Sequence, residues 1–284
     1  MSSGTSNPRP SNQTASSPTG WLFGPFPDLL LGCGVGYLIL FAVLTLGGSA
    51  LREAQPGALL ALITLLISGP HYGGTLLRVY EQRTDRRAYV FFSVWATVAV
   101  ALLFVVAVHQ PLVGAWMFTL YITWSPWHYT AQNYGLTLML LGRRGADTSP
   151  PAKRLLHISF VCSFLITLMV LHGSTQASGY VPNPMDYGQP RISFISVGLP
   201  PLFAHAVLYL ATLGHIGALG ATLVLILRRS GFKTAAPALA IIGLQVLWFS
   251  IPFSLSYWGV RTGIDPLDNG TTSYYVVWTA VGHA

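Results

Sequence analysis

The residues of this chain best placed to do chemistry are histidines set in apolar sequence. Four of the eight, His71, His128, His215 and His283, fall deep inside long apolar blocks. Imidazole is the commonest protein ligand for iron, copper and zinc, and two imidazoles can also ligate haem. His71 belongs to Ser68-Gly69-Pro70-His71-Tyr72-Gly73-Gly74-Thr75. Proline there frees a backbone carbonyl, and the glycines permit close backbone approach or a local break. His128 belongs to Trp124-Ser125-Pro126-Trp127-His128-Tyr129-Thr130-Ala131-Gln132-Asn133-Tyr134. In a helix His128 and Gln132 share one face, one turn apart, and so do Tyr129 and Asn133. Gln132 or Asn133 could ligate, but better suits holding an imidazole in place, as do Tyr72, Tyr129 and Gln245.

The elements that must position these side chains are membrane-spanning helices. Of the 284 residues 52% are hydrophobic and only 8% charged, against about 25% charged in a soluble domain. So little polar surface cannot cover a water-soluble particle, and the apolar residues run in long blocks rather than amphipathic stripes. The blocks are 28–46, 57–79, 88–108, 112–141, 155–171, 202–227 and 236–257, with an eighth beginning at Ser273. The expected architecture is all-α: a polytopic helical bundle with seven full spans and a truncated eighth. The eighth, SYYVVWTAVGHA, has twelve residues, short of the roughly 20 that cross the hydrocarbon. A C-terminal truncation is therefore expected. Residues 1–20, rich in Ser, Thr, Pro, Gly and Asn, cannot bury a core and are expected to be a disordered tail ahead of a membrane domain over 21–284.

The net charge of +7 would suggest a nucleic-acid partner in a soluble protein. Here the charges sit in short loops and read as topology signals, and no nucleic-acid partner is expected. Arg9, then Arg78, Arg83, Arg86 and Arg87, then Arg143, Arg144, Lys153 and Arg154, then Arg228, Arg229 and Lys233 all fall on one side if every block spans. Only Arg52, Arg191 and Arg261 fall on the other. The excess of basic residues puts the N-terminus in the cytoplasm of a multi-pass cell-membrane protein. Cys33 and Cys162 lie inside apolar blocks and outside any C-x-x-C pair, so they read as small buried thiols.

Depth then sorts the histidines. His109, His157, His172 and His205 fall near block ends, where the interface tolerates them. His71, His128 and His215 lie near the middles of blocks two, four and six, and His283 lies ten residues into block eight, about 15 Å down. Four imidazoles from four helices running in the same direction could meet at one level, and a bundle core with inward ligands is an established way to build a metal site. The other readings are interhelical hydrogen bonding and a transport or proton path. Depth alone does not choose among them, because helix rotation is not encoded in it.

Pro70-His71 followed by glycine, with His128-Tyr129 in a later helix, resembles the membrane oxygenases that cleave β-carotene to retinal in bacteria and archaea. Those proteins carry a Pro-His-Gly helix motif with an aspartate four residues after the histidine, and a later His-Phe motif with an aspartate five residues on. Thr75 and Asn133 stand at those positions here. The resemblance implies a helical bundle with His-bound iron and an apolar, polyene-like substrate. The expectation from the sequence is thus a membrane metalloprotein with iron, or haem or copper, at His71, His128, His215 and His283, and an oxidoreductase or oxygenase activity on a lipid-soluble small molecule. The alternatives are a transporter and a non-catalytic membrane binding or scaffold protein. No catalytic residue beyond the ligands is assigned.

Overall fold

The computed structural model describes Trp21, residues 23–47, Leu62, Leu65, Leu66, His71, Gly73, 90–146, 148–173, 194–259 and His283. The expected N-terminal tail, Tyr72, Thr75 and most of blocks two and eight lie outside the described residues. The described residues are mostly helical, with no strand among them, as the apolar blocks require. After the short turns of Pro25–Gly32 comes α1, Val35–Leu46; then α2, Thr97–His109; α3, Pro111–Arg143; α4, Pro150–Gly173; α5, Pro201–Gln245; and α6, Ile251–Tyr257. Proline opens α3, α4 and α5, where its missing N–H costs nothing and its fixed φ suits a first turn.

Two breaks shape the bundle. Helix α3 ends where Gly145 adopts φ +67°. The Gly145 N–H donates to the Gly142 carbonyl and the Ala146 N–H to the Leu141 carbonyl, closing the helix with Leu141 and Ala146 buried in one cluster. Inside α5, Gly231 stands at φ 73°, ψ 162°, a backbone region open almost only to glycine. The chain folds back there: His205 on the first arm packs edge-on against Tyr257 beyond the second, with ring centroids 5.2 Å apart. Blocks six and seven of the sequence are these two arms.

Helix α4 packs most extensively against α5, and α3 lies against both. At one end, Arg144 Nε and Nη2 donate to the carbonyls of Thr234 and Lys233 at 3.0 Å each. Two of the basic loops counted from the sequence therefore stand side by side. At the other end His172 clamps the extended segment 194–200. Its Nδ1 accepts from the Val197 N–H, so Nε2 carries the proton and donates to Thr123 Oγ1 at 2.9 Å. That reading keeps His172 structural.

Polarity is inverted relative to a water-soluble bundle. Thr130, Asn133, Thr137, Ser159, Ser163 and Gln245 are buried, while Leu102, Phe104, Leu202, Leu210 and Ile216 are exposed. On α2 only Ala107 is buried. Among the described residues two helical runs, Pro150–Gly173 and Pro201–Tyr257, are long and apolar enough to cross a membrane.

Candidate metal centre

Helix α3 supplies the wall on which the site is built. His128 and Gln132 lie on one of its faces and Tyr129 beside them, the one-turn spacing read from the sequence. All three reach the same partner. The His128 ring meets His283 edge-on with centroids 4.9 Å apart, and the Tyr129 ring lies 4.1 Å from it at a 32° tilt. Gln132 Nε2 donates to the His283 carbonyl at 3.3 Å. The His71 ring also meets His283 edge-on, with 5.1 Å between ring centroids and 70° between planes. His283 thus packs against both of the other imidazoles.

One ring nitrogen from each of His71, His128 and His283 lies within 4.8 Å of the other two. Nitrogens sharing an ion at about 2.1 Å would stand about 3 to 3.4 Å apart, so modest side-chain rotations would close the set. His283 Nδ1 is buried without a hydrogen-bond partner. A buried imidazole nitrogen with nothing to bond is costly, and a metal ion would satisfy it. His71 and His283 are half-buried and His128 is exposed.

His215, expected as a fourth ligand, does not join them. Its Nδ1 stands 2.9 Å from the Ser159 carbonyl and 3.0 Å from Ser159 Oγ, on α4. A carbonyl only accepts, so Nδ1 carries the proton and ties α5 to α4, while Nε2 is buried with no hydrogen-bond partner, away from the three clustered rings. The physical reason is rotation: His215 has the depth of the others but faces the adjoining helix.

Asn133 and Gln245 are likewise placed one layer behind the histidines. Asn133 Nδ2 donates to Gln245 Oε1 at 2.9 Å, and Gln245 Nε2 donates to Thr130 Oγ1 at 2.9 Å and Ser163 Oγ at 3.0 Å. Ser250 Oγ donates to Ser163 Oγ at 2.8 Å. The Gln245 amide is consumed by this network, which ties α3 to α4 and α5 on the turn of α3 that follows His128. Neither Asn133 nor Gln245 touches an imidazole in the described contacts. Thr130, Ser163 and Ser250 were not singled out from the sequence; a hydroxyl in an apolar block carries no signal of its partner.

A cavity of about 170 Å³ opens beside His283, with Gln132, Asn133, Trp248 and Cys33 in its wall. It abuts a larger hollow of about 390 Å³ along Leu31, Gly32, Cys33 and Leu136. Cys33 is buried at 1% exposure between the two. Three nitrogen donors beside an apolar hollow can hold an ion and give a greasy molecule access to it. No protein-family model, no curated protein and no solved structure matches the chain.

Proposed function

We propose that the chain is an integral membrane metalloprotein that holds one iron ion through His71, His128 and His283 and acts as an oxidoreductase on a lipid-soluble substrate. The observation that carries this reading is the convergence of three imidazoles, distant in sequence, beside a cavity that leads into an apolar hollow. The likeness of the Pro70-His71 and His128-Tyr129 motifs to β-carotene-cleaving oxygenases points the same way.

The membrane placement is supported by the inverted polarity. Exposed Leu, Ile and Phe side chains suit acyl chains, and the buried hydroxyls and amides suit a bundle interior away from lipid. Helix α3 has 33 residues, enough to cross, and its hydropathy is lowered by the polar groups it turns inward. The 57-residue run Pro201–Tyr257 would be about 85 Å long if straight. Broken at Gly231, it supplies two crossings instead, in keeping with a many-span bundle. The contact of Arg144 with Thr234 and Lys233 fits basic loops gathered on one side, the cytoplasmic one.

Iron suits the donor set better than haem. The rings of His71, His128 and His283 pack edge-on at 4.9 and 5.1 Å, which leaves no room for a macrocycle between them. Iron held there would supply O₂ activation or electron transfer. Gln132 anchors the main chain of His283, Tyr129 sets the plane of its ring, and the apolar hollow orients the substrate and keeps water out. Metal analysis of the purified protein tests the reading. About one iron per chain is expected; sub-stoichiometric iron, copper and zinc would reject it.

A further inference from the structure

The geometry points to the head group that this cavity receives: an apolar molecule whose polar end presents a carbonyl oxygen, of the quinone or ketone class, bound through a hydrogen bond from Trp248. The inference rests on the reading of the site as one that handles a lipid-soluble substrate. It names the chemistry of that substrate's polar end.

Trp248 lines the cavity together with His283 and Gln132. Its side chain is 1% exposed, and its indole Nε1 is buried with no hydrogen-bond partner. The indole N–H can only donate, and a buried tryptophan ordinarily finds an acceptor. The neighbouring polar groups do not provide one. Gln245 Oε1 already accepts from Asn133 Nδ2, and neither Gln132 Oε1 nor Asn133 Oδ1 is within hydrogen-bonding reach of the indole. An acceptor oxygen brought by a ligand would complete Trp248.

The rest of the ligand follows from the walls. Beyond Cys33 and Leu136 the larger hollow is bounded by Phe23, Pro27, Met139 and Leu140, a mostly hydrocarbon surface, and by Asp28, whose Oδ1 accepts from the Phe23 N–H. A molecule with a carbonyl at one end and an apolar body would lay its oxygen at Trp248, beside the histidines, and its body in this hollow. A charged or multiply hydroxylated head would leave groups unbonded there.

Titration of the purified protein in nanodiscs with decylubiquinone, followed by tryptophan quenching, tests this, with decylbenzene as a competing hydrocarbon. Saturable binding of the quinone is expected, and Trp248→Phe should weaken it roughly fivefold to tenfold while leaving displacement by decylbenzene unchanged. Leu136→Trp, which fills the junction of the two hollows, should weaken both. The infrared carbonyl stretch of the bound quinone should fall to lower wavenumber in the unsubstituted protein and return in Trp248→Phe. An equal loss for both ligands in Trp248→Phe, or an unshifted carbonyl stretch, would leave Trp248 as packing against Tyr37 and overturn the inference. Iron content measured on the same preparation separates the two claims. Full iron without saturable quinone binding overturns this inference alone, whereas quinone binding in iron-free protein supports it and counts against the metal.

Discussion

The imidazole of His283 stacks on the phenol ring of Tyr129, with centroids 4.1 Å apart and planes 32° from parallel. His128, the residue before Tyr129, meets the same imidazole edge-on. One turn of α3 therefore both orients His283 and offers a second nitrogen beside it. That relationship makes α3 the part of the fold on which the proposed centre depends.

Removing the support without removing a ligand should loosen the metal. Tyr129→Ala and Gln132→Ala are each expected to lower iron affinity by about tenfold, with Tyr129→Phe close to the unsubstituted protein because the stacking remains. Competition with a chelator measures this. Unchanged affinity in both alanine variants would mean that His283 is held by other contacts.

His215 provides the control. His215→Ala should keep full iron content, because the ring is bonded to Ser159 rather than to the cluster. It should lower thermal stability in detergent, at a cost of about 1 to 3 kcal/mol for the groups left unpaired. Loss of iron in this variant, with the fold intact by circular dichroism, would return His215 to the ligand set.

Gln245 is fully buried and joins Asn133, Thr130 and Ser163. Gln245→Leu removes the shared amide and leaves those partners without it. The expected cost is about 2 kcal/mol or more, with a smaller fall in iron affinity as α3 loses its rotational restraint. A variant as stable as its parent would show that the network contributes little.

The topology has its own test. In a chain with Cys33 and Cys162 replaced by alanine, Thr148→Cys and Ser230→Cys should react with a membrane-impermeant maleimide only after the cytoplasmic face is opened. Val197→Cys, at the far end, should react from outside. Labelling of Thr148 and Ser230 positions from opposite sides would break the topology derived from the basic loops.

Much of this arrangement was legible in the residue pattern, and what was not has identifiable causes. The apolar blocks located α3, α4 and both arms of α5, because long hydrophobic runs report helices directly. The break between the arms was marked by Arg228, Arg229 and Lys233, with Gly231 supplying the backbone conformation. The depth of His71, His128 and His283 put them at one level, where the structure gathers them. His215 shares that depth but not the direction, since sequence spacing fixes height along a helix and leaves rotation open. Trp248 carried no signal, because an aromatic residue in an apolar run reads the same whether it faces lipid or a cavity. Gln245 stood out as polar at depth, but which groups would satisfy it depended on how three helices came together.

The central claim is that three imidazoles share one ion, and X-ray absorption at the iron edge of the loaded protein addresses it most directly. The account predicts three imidazole nitrogens at about 2.1 Å, with the outer-ring scattering typical of histidine, and loss of one imidazole in His128→Ala. An edge spectrum without histidine scattering, or one unaltered in His128→Ala, would contradict it.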